Sequence, residues 1–151
     1  MSEELDRPSP RASELERDAV AVASVLYFAC VFGVGVILGP IRVLWVEPVV
    51  GATFAVLLEA PFLIGAMIFA SRYAPRWAKV RGRWPSYLAI GLLALVFQQI
   101  ADLAVGFGLR GMTLTGQLAY FSTPPGWIYA AALFVFAIAP LFAKTGKMDV
   151  E

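Results

Sequence analysis

Five polar side chains lie in stretches that otherwise have the composition of lipid-soluble helices, and their types are those that bind ligands or carry protons within membranes. They are Arg42, Glu59, Gln98, Gln99 and Asp102. A lone charged group in hydrocarbon costs about 2.5 to 3.5 kcal/mol on insertion scales, so such groups pair with one another or line a wet cavity. One arginine and two carboxylates at different depths would suit ion pairing, capture of a small polar ligand or passage of protons.

Helical rise predicts which of these side chains meet. Counted from the outer ends of their helices, Asp102 lies about seven residues deep and Arg42 about four, depths of roughly 10 Å and 6 Å. An arginine side chain can cover that difference, so we predict that Arg42 pairs mainly with Asp102. Glu59 is predicted near the midplane, roughly 16 Å from the start of its helix. It either shares Arg42 or, as a neutral acid, hydrogen-bonds the amide of Gln98.

The composition places these residues in a membrane protein. Of the 151 residues, 60% are hydrophobic and only 15% are charged, and the mean hydropathy is +0.74. Such values lie outside the range of soluble globular domains. A helix needs about 20 apolar residues to cross a hydrocarbon core, and residues 19–38, 49–70, 87–109 and 126–143 qualify or nearly do. We therefore predict an all-α fold, an integral membrane four-helix bundle.

The basic residues predict the orientation of this bundle. Ten of the twelve lie in 1–17, 72–83 and 144–147, which are on one side of the membrane, and only Arg42 and Arg110 lie on the other. Lysine and arginine accumulate in short cytoplasmic segments, so both termini are predicted to be cytoplasmic. The chain then divides into a polar tail at 1–17, four membrane spans within 18–143 and a second tail at 144–151. The predicted location is the bacterial inner (plasma) membrane.

The third span shows which side chains face the bundle. At 100° per residue its small and polar residues fall on one arc and its large apolar residues on the opposite arc, so we expect the first set to face protein and the second lipid. Glu59 shares a face of the second span with small residues and is also predicted to face protein. The inward set of the third span is Gly91, Ala94, Leu95, Gln98, Gln99, Asp102 and Gly106; the outward set is Leu92, Leu93, Val96, Phe97, Ile100, Leu103 and Phe107.

Local patterns predict how the spans begin, bend and pack. The charged tail is predicted to be disordered up to Ala12. Ser13, followed three residues later by glutamate, has the spacing of a capping box, which predicts a helix that starts before the bilayer. Gly35 and Gly39 have the GxxxG spacing that lets another helix approach closely. Pro40 is predicted to bend the first helix. The largely apolar loop at 111–125 is predicted to lie along the membrane interface as a short amphipathic segment, with a re-entrant loop as the alternative.

Several kinds of site are excluded by the residue types present. The chain has no histidine and one cysteine, Cys30, which excludes imidazole-ligated haem, histidine zinc sites, disulfides and a serine-histidine-aspartate triad. We predict no metal and no cofactor. The net charge of +1 gives no indication of nucleic-acid binding, because the basic loop is accounted for by topology.

One pattern of residues resembles a known group of proteins. It consists of Gly39, Arg42, Val43, Pro48, Gly51, Glu59 and Pro61, followed by Asp102, Gly106 and Thr123-Pro124. The pattern, which covers nearly all of the chain after the tail, resembles a family of small proteobacterial four-span inner-membrane proteins of uncharacterised function. In that family the position of Asp102 more often holds glutamate, which keeps the carboxylate. The resemblance implies no activity, ligand or partner.

These observations lead to one predicted function and one alternative. The polar cluster is predicted to serve as a helix-packing and assembly element, in a protein that is a subunit of a membrane complex. The alternative is binding of a small polar ligand, or passage of protons or solute, through an outward-facing pocket. An enzyme is not predicted, because no nucleophile and base pair, metal-ligand spacing or phosphate loop is present. The predicted partners are the lipid bilayer and a second copy or another membrane protein.

Overall fold

The computed structural model describes residues 10–108 and 111–145, and every regular element in this part of the chain is helical. Predictions that fall on 1–9, 109–110 and 146–151 lie outside the described residues. Four of the helices are long and apolar enough to cross a membrane, which confirms the predicted number of spans. The elements are α1 (Pro10–Ile41), a π-helical segment (Arg42–Val46), α2 (Glu47–Val50), α3 (Ala52–Trp77), α4 (Trp84–Gly108), α5 (Leu114–Tyr120) and α6 (Pro124–Thr145).

The four long helices form a bundle in which α1 and α6 each pack against both α3 and α4. Helices α1 and α6 therefore face each other across the diagonal. Small side chains such as Ala94 on α4 and Ala70 on α3 are buried in the core and allow close approach. The closest approach is at Gly91, where an added Cβ would overlap the backbone carbonyl of Ala137 on α6. Only glycine fits at that position without moving a helix.

Tyr27 connects α1 to α6 through the centre of the bundle. Pro140 lies inside α6 and has no backbone N–H, so the carbonyl of Phe136, four residues earlier, loses its helical donor. The hydroxyl of Tyr27 donates to that carbonyl at 2.8 Å. The Tyr27 and Phe136 rings also stack, with centroids 4.6 Å apart, and both side chains are fully buried. A side chain on one helix thus satisfies a polar group that a proline frees on another.

The predicted faces of the second and third spans are confirmed. On α4, Gly91, Ala94 and Gly106 are buried and the three polar residues of the inward set are half-buried, whereas all seven residues of the outward set are exposed. On α3, Glu59 is half-buried on the side of the buried Ala55. The 3.6-residue period therefore located the protein-facing side of both helices.

The C-terminal end of the first span differs from a plain bent helix. After Pro40 the backbone changes to π-helical geometry over Arg42–Val46, and the N–H of Glu47 bonds to the carbonyl of Arg42, five residues earlier. The chain then turns into α3 at Gly51, whose φ of 82° and ψ of 158° fall in a region that only glycine adopts readily.

The other end of the bundle is closed by the turn between α3 and α4. The N–H of Val80 bonds to the carbonyl of Pro75 and that of Lys79 to Arg76, the two bonds of a Schellman motif. Glu16 on α1 accepts hydrogen bonds from the next two backbone N–H groups, those of Arg81 and Gly82, at 3.2 and 2.8 Å. The start of α1 and the α3–α4 turn therefore lie at the same end of the bundle.

Two local predictions for the first span are wrong. Helix α1 starts at Pro10, so Ser13 lies within the helix instead of capping it, and Ala12 is helical. Gly35 and Gly39 do not support close packing within the bundle: an added Cβ at Gly35 would reach only the tip of Leu63, at 4.0 Å, and one at Gly39 would meet no atom within 4 Å.

Candidate functional site

Arg42 follows the C-terminal end of α1 and forms ion pairs with two glutamates, one on α2 and one in the first half of α3. Its Nη1 lies 3.2 Å from Oε2 of Glu47, and its Nε lies 2.8 Å from Oε2 of Glu59. The Arg42 and Glu59 side chains are 18% and 13% exposed, against 36% for Glu47. The pair with Glu59 is therefore the more shielded of the two, and it joins the first span to the second.

The π-helical segment explains why Arg42 reaches Glu47. In an α-helix, residues five apart are separated by about 140° around the axis and do not face each other. The wider turn over Arg42–Val46 brings residue 47 above residue 42, because the backbone bond itself runs between them. Single-turn π segments are frequent at functional sites. Because the segment brings Glu47 within reach, Arg42 contacts two carboxylates, those of Glu47 and Glu59.

The two ion pairs of Arg42 differ in geometry. Nη1 of Arg42 donates a well-aligned hydrogen bond to Oε2 of Glu47. The Nε–H, although 2.8 Å from Glu59, does not point at the carboxylate oxygen and makes no well-aligned hydrogen bond. The contact between Arg42 and Glu59 is therefore an ion pair by distance, without the alignment of a hydrogen bond. Its electrostatic attraction is added to the packing of α1 against α3.

Asp102 lies in a separate network that joins α4 to α6. The hydroxyl of Tyr129 donates a hydrogen bond to Oδ2 of Asp102, and Nε2 of Gln98 donates to Oδ1 at 3.0 Å. Gln98 is one helical turn before Asp102, so the two side chains lie on one face of α4. Both carboxylate oxygens thus have a donor from within the bundle.

The short helix α5 covers the same network. Gln117 donates from Nε2 to the backbone carbonyl of Asp102 at 3.3 Å. Its side chain packs where an added Cβ at Gly106 would lie, and the N–H of Met112 bonds to the Gly106 carbonyl. The predicted short segment between the third and fourth spans is therefore a helix, and it is attached to α4 through Gln117.

Aromatic rings surround the hydroxyl that binds Asp102. Tyr129 contacts Phe121 and Tyr120, with ring centroids 5.9 and 6.4 Å apart. Sequence reasoning missed Tyr129 and Gln117, because it searched the last span and the preceding loop for charged residues only. The pattern that could have found Tyr129 is a lone tyrosine in an otherwise apolar span, because a buried tyrosine hydroxyl usually has a partner.

The structure contradicts the predicted pairing of Arg42 with Asp102. No hydrogen bond or ion pair joins these two described residues, and the partners of Arg42 are Glu47 and Glu59. The alternative pairing of Glu59 with Gln98 is also wrong, because Gln98 donates to Asp102. The predicted single buried cluster is not formed: among the side chains that the structure describes, in 11–108 and 111–143, no charged one is buried.

Three amide oxygens near Asp102 are buried without a hydrogen-bond donor from the described residues. They belong to Gln98, Gln99 and Gln117. Each buried acceptor without a donor costs about 1 to 3 kcal/mol. Together with the Asp102 carboxylate they form a set of groups that can accept hydrogen bonds, and they are chemically suited to a ligand that donates them.

Comparisons with known proteins do not identify this site. No protein-family model, curated protein or solved structure matches the chain. The resemblance to small four-span proteobacterial proteins therefore stays a prediction. Among the described residues there is no group of three or more cysteine and acidic side chains placed to hold a metal ion.

Proposed function

We propose that this chain is a helix-packing and assembly element of the bacterial inner membrane, acting as a subunit of a membrane complex. The observation that carries the proposal is that the charged groups of both networks have partners within the chain. Arg42 pairs with Glu47 and Glu59, and Asp102 accepts from Tyr129 and Gln98. Groups paired in this way fix the register of helices and need no ligand.

The position of the networks supports a packing role. One joins α1 to α3 and the other joins α4 to α6, so each fastens a pair of adjacent helices. Two clefts in the described part of the chain are lined by other residues, with none of Arg42, Glu59, Gln98, Gln99 or Asp102 on either wall. A pathway for protons or solute would need water beside these groups.

The proposed orientation has both termini in the cytoplasm. Glu16 binds the backbone at Arg81 and Gly82, so the start of α1 lies beside the basic α3–α4 turn. Positive residues at that end of the bundle favour the cytoplasmic side. A reporter that is active only in the periplasm, fused to the C-terminus, should be inactive; an active fusion would contradict this orientation.

Native purification in a mild detergent tests the proposed function. We expect a second membrane protein to co-purify in fixed ratio with the full chain, and to stay bound in a Gln99→Leu variant, which removes one unpaired amide. Purification of the chain alone from native membranes, with no protein partner under several mild detergents, would contradict the assembly role.

A second candidate is binding of a small ligand that donates hydrogen bonds. It is favoured by the three buried amide oxygens around Asp102 that lack a donor among the described residues. Mass spectrometry of the same native preparation distinguishes the two candidates. A stoichiometric small molecule that is retained by the wild type and lost in Gln99→Leu would establish binding and replace the packing role. Gln99 is chosen because no other described residue depends on its amide for a hydrogen bond.

A further inference from the structure

A cleft of about 190 Å³ lies at the end of the bundle where α3 turns into α4. It is formed by the last turns of α3, the α3–α4 turn, the start of α4 and the end of α6. Its walls include Arg72, Arg76, Lys79, Arg81, Tyr87 and Ala143. Three of the four long helices thus contribute to one opening, which is separate from the networks of Arg42 and Asp102.

Four basic residues line this cleft. None of Arg72, Arg76, Lys79 and Arg81 makes an ion pair with any residue whose side chain the structure describes, in 11–108 and 111–143. The guanidinium of Arg76 is held over the Tyr73 ring, 5.8 Å from its centroid. The four basic residues give the walls of this cleft a net positive charge, and an anion in the cleft would be attracted to them.

Glu16 is an acidic side chain beside this turn, and its carboxylate is already engaged. It accepts from the backbone N–H groups of Arg81 and Gly82 instead of pairing with a basic side chain. The Glu16 carboxylate therefore shapes the turn, and it makes no ion pair with the four basic side chains of the cleft.

Lys79 occupies a backbone conformation that does not suit it. Its φ is +58°, in the left-handed region, at the position after a helix where glycine is usual. A residue with a Cβ is strained there by about 1 to 2 kcal/mol. If the only role of Lys79 were to place positive charge on the cytoplasmic side, a lysine one or two positions away would do so equally well. Backbone strain at a residue other than glycine motivates a hypothesis that its side chain has a role.

We propose that this cleft binds the phosphate of an anionic phospholipid headgroup. Guanidinium and ammonium groups are the donors that proteins use for phosphate. Basic pockets between helix ends at the membrane surface suit lipid headgroups. Trp77 and Trp84 flank the turn and are each 59% exposed, as expected of side chains at the level of the headgroups. The apolar faces of α3 and α4 would then contact the acyl chains of the same lipid.

The test compares two variants of the full chain by native mass spectrometry in detergent. Lys79→Gly removes one charge from the cleft and suits the left-handed backbone, so the fold is kept or improved. Arg83→Gln removes one charge from the same turn but outside the cleft. We expect Lys79→Gly to weaken the one-to-one adduct with phosphatidylglycerol about fivefold. Arg83→Gln should weaken it less than about twofold, because Arg83 does not line the cleft.

The controls distinguish binding at a defined site from a general effect of charge, and binding of a lipid from binding of free phosphate. Equal losses in the two variants, or no loss in Lys79→Gly, would overturn the proposal. Phosphatidylcholine with the same acyl chains should bind at least about fivefold more weakly than phosphatidylglycerol. Equal binding of the two lipids would overturn the proposal. Inorganic phosphate that bound the wild type as tightly as phosphatidylglycerol would overturn the assignment to a lipid.

Discussion

The hydroxyl of Tyr27 donates to the backbone carbonyl of Phe136, a carbonyl that Pro140 leaves without its helical donor. The bond crosses the diagonal of the bundle, and both side chains are fully buried. Tyr27 on α1 therefore replaces the hydrogen-bond donor that Pro140 removes from α6. In a membrane interior, where water does not replace a missing donor, such compensation matters more than in a soluble protein.

Tyr27→Phe should lower stability by about 1 to 3 kcal/mol, because the Phe136 carbonyl then has no donor. The loss should be smaller in a Pro140→Ala background, since alanine has the backbone N–H that proline lacks. Unfolding in detergent, measured for the four proteins of this cycle, checks the prediction. Tyr73→Phe, at a half-exposed tyrosine on α3, is the matched control and should change stability by less than about 0.5 kcal/mol. An equal loss in both backgrounds would show that the bond is unimportant.

Arg42→Leu should reduce stability by up to about 3 kcal/mol, because it leaves the shielded Glu59 carboxylate without its partner in the membrane. Glu59→Leu should cost less, because Arg42 keeps its ion pair with Glu47. The double variant should recover much of the loss, since apolar replacement of both partners of a shielded pair is often near neutral. Thermal unfolding in detergent measures all three. Arg42→Leu combined with Asp102→Leu is the control, and there the two losses should add. If the control variant recovered stability instead, the pairing of Arg42 with Asp102 that the sequence predicted would be supported.

Tyr129→Phe should destabilise the protein by about 1.5 to 3 kcal/mol, because it removes a donor from the Asp102 carboxylate. Asp102→Asn should cost less than Asp102→Leu, since an amide oxygen still accepts from a neighbouring donor. The comparison uses the midpoint of unfolding in the same detergent. If Asn and Leu at position 102 were equally costly, hydrogen bonding would not be what the carboxylate contributes.

Alanine at two glycines should have opposite effects. Gly91→Ala should cost about 1 to 3 kcal/mol, because its Cβ overlaps the Ala137 carbonyl and forces α4 and α6 apart. Gly39→Ala meets no atom within 4 Å and should leave stability unchanged or raise it by up to about 1 kcal/mol. Both are measured on the purified chain. A Gly39→Ala protein that is stable alone but loses its co-purifying partner would place that partner on α1.

Periodicity predicted the helices and their faces because burial in a bundle follows the angle around the helix axis. Gly91, Ala94 and Gly106 are buried as expected, and the large residues of α4 are exposed. Pairing was harder, because it depends on depth and angle together. The predicted depth of Arg42 assumed a regular α-helix, whereas the π-helical segment redirects that side chain toward Glu47 and Glu59. Asp102 then finds Tyr129, a neutral donor that a search for opposite charges overlooks.

The contact between Glu16 and the α3–α4 turn has a consequence for the order in which the chain assembles. Glu16 emerges from the ribosome well before Arg81 and Gly82, whose backbone N–H groups donate to it. The two hydrogen bonds to Glu16 can form only after α3 has packed antiparallel to α1, whereas the turn's own backbone bonds are local. A chain shortened to begin at Asp18 would lack this acceptor, so the first helical turns of α1 supply a hydrogen-bond partner for a turn made later in synthesis.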